Sequence, residues 1–201
     1  MANKRNIFEE VGSDTKITSA SAGAIARAGS GDRHWVRLWL WSLVGLIIVM
    51  ITVGGLTRLT DSGLSITEWD PVMGAIPPLS AAAWQAAFAA YQTTAEFAVQ
   101  NAAMSLAEFK VIFWWEWGHR QLGRFIGLTW ALGFALLFFT GKLPKARRLS
   151  LFAIGPFIGL QGFIGWLMVH SGLDGVRLDV ASYWLMAHLG AAFALLGYIY
   201  W

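Results

Sequence analysis

Apolar residues gather into four runs along this chain, and each run is long enough to cross a bilayer as a helix. The first, at 38–59 (LWLWSLVGLIIVMITVGGLTRL), holds roughly the 20 residues a spanning helix needs. The others cover about 113–139, 149–169 and 180–201. None alternates between apolar and polar positions as barrel strands do, so the pattern predicts an all-α integral membrane protein, a four-helix transmembrane bundle. The first run is too long for a signal-peptide core and no small-residue cleavage site follows it, so it is expected to stay in the protein. Residues 1–37 are polar and rich in Gly, Ala and Ser (SASAGAIARAGSG) and read as a flexible tail, leaving 38–201 as the bundle. Between the first two runs lies a long loop from Thr60 to about Lys110, with Pro71, Pro77 and Pro78 and then Ala-rich segments expected to form short interfacial helices.

Composition strengthens this picture. Of 201 residues, 56% are hydrophobic and 13% charged, with a mean hydropathy of +0.53. Soluble domains are near 45–50% apolar and roughly a quarter charged, so an ordinary cytosolic globule, a disordered chain and a nucleic-acid-binding module are excluded. The net charge of +3 and pI near 9.4 therefore report topology. Lys4, Arg5, Lys16, Arg27, Arg33 and Arg37 lie in the tail, and Lys142, Lys145, Arg147 and Arg148 lie between the second and third runs, while the opposite side carries Lys110 and Arg177. The positive-inside rule then puts both termini in the cytoplasm and the long loop outside. Trp35, Trp39 and Trp41 are expected at the inner interface and Trp114, Trp115, Trp117, Trp166 and Trp184 near the outer one, with packing inside the bundle as the alternative for each. Two small-residue motifs, Gly123-x-x-x-Gly127 and Gly155-x-x-x-Gly159, predict close helix approach. Cysteine is absent, which removes disulfides, thiolate metal sites and cysteine nucleophiles.

Ionisable residues at membrane depth are costly, and they mark candidate sites. Glu116, His119 and Arg120 cluster near the outer end of the second run with Arg124 one turn on, and spacings of three and four place Glu116 on one helix face with His119 and Arg120. His188 sits in the fourth run among Ala187, Gly190, Ala191 and Ala192, and Gly118 and Gly123 flank His119, small residues expected to leave room for a flat ligand. Counted from the expected span starts, the two histidines lie about 9 and 10.5 Å deep at 1.5 Å per residue. Two imidazoles on different helices at matched depth, with small residues around them and no carboxylate or cysteine to complete a tetrahedral set, fit a haem with two axial histidines better than zinc. A histidine pair hydrogen-bonding across helices satisfies the same spacing. Arg58, Arg120 and Arg124 are the outer-end candidates for haem propionates, with lipid phosphate as their alternative partner. Glu116 is equally readable as the ion-pair partner of Arg120. His34 and His170 lack a depth-matched partner and read as interfacial or solvated.

Four stretches resemble the haem A synthase family: VGGLTRLTDSGLSITEWDPVMGAIPPL at 53–79, EFKVIFWWEWGHRQLGR at 108–124, GLQGFIGWLMVHSGL at 159–173 and DVASYWLMAHLG at 179–190. The likeness is to the mitochondrial and alphaproteobacterial type, which lacks the cysteine pair of the Bacillus type, and to its N-terminal four-helix half. The resemblance implies eight helices in two homologous halves, with haem O received in the first and haem b held in the second. It implies that His119 and His188 are the haem ligands of this half and that Glu116, in the family's E-x-x-H, acts on the reacting methyl by stabilising charge, by adding covalently or as a base. The implied reaction oxidises a ring methyl of haem O to the formyl group of haem A for cytochrome oxidase. Haem O synthase, cytochrome oxidase assembly and either the C-terminal half or a second copy are the implied partners, in the bacterial cell membrane or the mitochondrial inner membrane. Because the sequence stops within apolar residues at Trp201, a fragment, a split gene or a truncated chain is expected. A b-type bis-histidine cytochrome for electron transfer is the competing function, and a cofactor-free bundle the third.

Overall fold

The computed structural model describes residues 30–70, 72–174 and 177–201, so most of the expected 1–37 tail lies outside the described residues. The elements are helices α1 (Ser30–Leu59), α2 (Ala81–Gln92), α3 (Ala95–Gln100), α4 (Leu106–Phe139), α5 (Arg148–Gly172) and α6 (Ser182–Tyr200), with short 3-10 turns at Met73–Ala75 and Lys145–Arg147. Among the described residues there is no strand. By length and composition α1, α4, α5 and α6 are each able to cross a membrane. They form a ring in which α1 packs on α4, α4 on α5, α5 on α6 and α6 back on α1. Consequently α4 and α6 face each other across the middle of the bundle.

Two helices run past the apolar stretches that announce them. Helix α1 is described from Ser30, and Val36 and Trp39 extend its buried stripe ahead of the apolar run. Helix α4 begins at Leu106, where Ser105 and Glu108 form a reciprocal capping box: the Glu108 backbone N–H donates to Ser105 Oγ, and Glu108 Oε2 accepts from the Ser105 N–H at 2.8 Å. Its added first turns bury Phe109, Ile112 and Phe113 against Phe88 and Tyr91 of α2, making a small cap over one end of the bundle. The main core is at the other end, where Leu43 and Ile47 meet Ile126, Leu151, Ile154 and Leu195. Leu132, Phe163, Met186 and Phe193 project outward, 53–72% exposed, as lipid-facing side chains do.

The small-residue motifs act differently from expectation. A Cβ on Gly155 would run into the Trp130 ring, and one on Gly133 into Trp39, whereas a Cβ on Gly159 would meet nothing within 4 Å. These glycines admit tryptophan rings rather than a neighbouring backbone. Trp39 is accordingly a core residue, 7% exposed with Nε1 donating to the Thr129 carbonyl at 3.1 Å, and not an interfacial one. Trp35 and Trp41 are exposed as expected, Trp35 beneath the Lys142 ammonium.

Within the cap, Glu96 of α3 is buried at 4% exposure and accepts one hydrogen bond, from the Tyr91 hydroxyl, which in turn accepts from the Asn101 amide. Burial pushes the Glu96 carboxyl up to about 7 and also raises the Tyr91 phenol, with Glu96 adding to that rise. The folded protein therefore binds the Glu96 proton more tightly than an unfolded chain, so stability is fullest below about pH 4.5 and declines as pH rises through 7. Glu96→Gln keeps an acceptor for Tyr91 and removes the charge. Thermal unfolding in detergent is expected to show wild type losing roughly 3 kcal/mol between pH 5 and 8 through this group, and the Gln variant losing far less.

Candidate functional site

One face of α4 carries Glu116, Arg120, Gln121 and Arg124, spaced so that all four reach the same flank. That flank lies against the segment 65–75, whose described residues form no α-helix or strand beyond the 3-10 turn at Met73–Ala75. Glu116 is 3% exposed. Its Oε2 accepts from the Ser65 hydroxyl and the Ile66 N–H, each at 2.7 Å, and its Oε1 accepts from Arg120 Nε at 3.0 Å and from Arg120 Nη2. Arg120 also donates to the carbonyls of Ile66 at 2.8 Å and Glu68 at 3.0 Å. Gln121 donates to the carbonyls of Gly74 and Ala75 at 3.3 Å, and Arg124 Nη2 donates to that of Asp70 at 3.0 Å. The stripe thus supplies the hydrogen bonds that secondary structure would otherwise give this stretch.

Arg58, near the end of α1, pairs with Asp61 at 3.1 Å and with Asp179, just before α6, at 2.9 Å. All three arginines expected at the outer end are therefore engaged with the protein itself. Arg58 joins two helix ends, and Arg120 and Arg124 hold the 65–75 segment.

His119 and His188 come from the helices that face each other across the ring. Each has Nδ1 buried with no hydrogen-bond partner. Each also lies against a glycine of the adjacent helix: an added Cβ on Gly54 of α1 would sit 2.9 Å from His119 Cε1, and one on Gly165 of α5 would sit 3.2 Å from His188 Cε1. At this level the side chains of the four long helices are only partly buried. Among the described residues, none is buried between Ile47 and Thr57 of α1, between Glu116 and Ile126 of α4, between Ile154 and Gly172 of α5, or in α6 before Ala192. Gly118 and Gly190, expected to leave room, each face open space, while Gly123 is taken up by Met50. His34 and His170 are exposed against Trp35 and Trp166, away from the pair.

Helix α4 runs above its apolar stretch into the cap, so His119 lies farther from its helix start than His188 does. The ring of helices brings α4 and α6 face to face, which puts both histidines on facing helices. Sequence reasoning missed Ser65, Gly54, Gly165 and Gln161. Gln161, whose amide donates to the His188 carbonyl at 3.0 Å, was detectable as a polar residue in mid-span. The two glycines carried no signal that set them apart from their neighbours.

A ring of four apolar helices, each long enough to cross a bilayer, defines a helical-bundle membrane protein. The COX15-CtaA family of cytochrome oxidase assembly proteins matches residues 37–201. Proteins named Heme A synthase are similar throughout: that of Dinoroseobacter shibae is 57% identical over 203 residues, covering 100% of this chain and 53% of the relative. That of Cereibacter sphaeroides is 54% identical over 198 residues, with 98% and 51% covered, and that of Ruegeria pomeroyi 52% over 204 residues, with 100% and 53%. The chain belongs to the COX15-CtaA family and is a multi-pass membrane protein. It spans about half the length of the curated relatives it matches. No solved structure matches it.

Replacing Arg120 by Lys keeps the charge but removes the planar fork that joins Glu116 to the Ile66 and Glu68 carbonyls. The expected cost is about 3 kcal/mol, as for a broken buried pair, felt first as faster hydrogen exchange across 65–75, which mass spectrometry of the detergent-solubilised chain reads directly.

Proposed function

We propose that this chain is the haem O-binding, catalytic half of a haem A synthase, oxidising the ring methyl of haem O to the formyl group of haem A for cytochrome oxidase. The observation that carries this reading is the pair His119 and His188, two half-buried imidazoles from facing helices, each with a buried, unsatisfied Nδ1 and each packed against a glycine of a neighbouring helix. Among the described residues no group of three or more His, Cys, Asp or Glu stands ready to hold a metal ion. A ligand that brings its own four equatorial donors and needs two axial ones fits this set, and a porphyrin iron is such a ligand. When bound, haem O supplies the ring methyl that is oxidised and the iron that the two imidazoles hold.

The remaining roles belong to the chain. His119 and His188 fix the depth and tilt of the flat substrate between α4 and α6. Glu116, one turn before His119 and held by donors on both oxygens, is a stationary negative charge beside the ligand, suited to stabilising positive charge that develops at the reacting carbon. With both oxygens occupied it is a poorer base or nucleophile than a free carboxylate. Arg58, Arg120 and Arg124 are the candidate cations for the propionates, and each also holds the protein: Arg58 pairs with Asp61 and Asp179, Arg120 with Glu116, and Arg124 donates to the Asp70 carbonyl. The lysine and arginine distribution supports a cytoplasmic N-terminus and a 65–75 segment on the outer face of the bacterial inner membrane. Haem O synthase is the fitting source and cytochrome oxidase the destination, with a haem b-holding second half or another copy completing an eight-helix unit. The b-type electron-transfer cytochrome finds no support in the family match.

The test is to express the chain in cells that make haem O but no haem A, purify it and identify the extracted pigment. Wild type is expected to carry haem O or haem A, His119→Ala and His188→Ala to lose most of it, and Glu116→Gln to keep it without formyl product. A colourless wild type, or haem b retained in both histidine variants, would overturn the proposal.

A further inference from the structure

We infer that Gly54 and Gly165 are positioning residues for the two histidines, each offering a bare backbone surface that sets the orientation of one imidazole. The inference rests on the haem-binding reading above and deepens it. The two contacts arise on different helix pairs, yet they are alike atom by atom. From the added Cβ of Gly54 the distances to His119 are 2.9 Å to Cε1, 3.4 Å to Nδ1 and 3.9 Å to Nε2, and from that of Gly165 to His188 they are 3.2, 3.6 and 3.9 Å in the same order. Each imidazole therefore turns its Cε1 edge toward a neighbouring helix, with Nδ1 nearer to that helix and Nε2 farther from it. A ring held only by its own χ angles is free to rotate, since no hydrogen bond fixes either Nδ1. In place of the usual second partner of a ligand histidine, close packing on a glycine restricts the ring.

The surroundings support a paired arrangement. Gly54 opens the run GGLTRLTDSGL and Gly165 the run GWLMVHSGL, and the two Ser-Gly-Leu ends meet, because an added Cβ on Gly172 would lie 2.7 Å from Leu64 Cδ2. Helices α1 with α4 and α5 with α6 thus present histidine-over-glycine contacts from two sides of the same bundle. Neighbouring glycines show that the constraint is local. A Cβ on Gly55 or on Gly162 would meet nothing within 4 Å.

This contrast supplies the experiment. Haem O is titrated into the full chain, purified without pigment, for wild type, Gly54→Ala, Gly165→Ala and the matched Gly55→Ala and Gly162→Ala, with the electron paramagnetic resonance spectrum of the ferric complex recorded for each. Gly54→Ala and Gly165→Ala are expected to weaken binding by about tenfold and to shift the low-spin signal or convert part of it to high spin, while Gly55→Ala and Gly162→Ala match wild type. A residue that acts through a histidine has no effect once that histidine is gone, so Gly54→Ala is expected to add nothing in a His119→Ala background, nor Gly165→Ala in His188→Ala. Additive losses in those backgrounds, or all four glycine variants behaving alike, would overturn the inference while leaving the haem-binding reading in place. Wild type binding haem O no better than the His119→Ala/His188→Ala double variant would instead remove that reading, and the inference with it.

Discussion

A carboxylate buried between a membrane helix and an irregular segment has to be paired and hydrogen-bonded, because burial removes the water that would otherwise solvate it. In this protein that requirement is met by the Glu116–Arg120 pair. Glu116 takes donors from the 65–75 segment while Arg120 gives donors back to it, so one buried ion pair joins α4 to the segment in both directions. The pair is stable where it is because every polar group it brings into the interior is satisfied. Gln121 and Arg124 continue the same attachment along α4. Fixing this flank leaves His119, one turn from Glu116, directed instead toward α1 and the bundle interior.

The second constraint is how the bundle divides its packing. Leu43, Ile47, Ile126, Ile154 and Leu195 close one end, and the aromatic cap of Phe88, Tyr91, Phe109 and Phe113 covers the other. Between them, at the level of the histidines, the described side chains of the four long helices are only partly buried. Close packing is what holds membrane helices together. Incomplete packing beside two unsatisfied imidazoles is what a bound flat ligand would complete.

Much of this was legible in the sequence. The four spans follow from the apolar runs, and Glu116, His119 and Arg120 were visible as a cluster because charges at membrane depth stand out. His188 was found because it interrupts an apolar helix. Helix bounds were less accessible: the true start of α4 is set by Ser105 and Glu108, a local capping signal placed ahead of the apolar run. The glycine motifs misled because spacing cannot tell a glycine that receives a Trp ring, as Gly155 does, from one that meets a backbone. Ser65, Gly54 and Gly165 were out of reach, since their importance comes from what a distant segment brings against them.

The account depends most on His119 and His188 converging on a single ligand from the two facing helices. Near-infrared magnetic circular dichroism of the haem O-loaded chain reads the axial ligand pair directly. Two imidazoles are predicted in wild type, with one of them lost in either His119→Ala or His188→Ala. An unchanged charge-transfer band in either variant would contradict the account, because that histidine would then lie away from the iron.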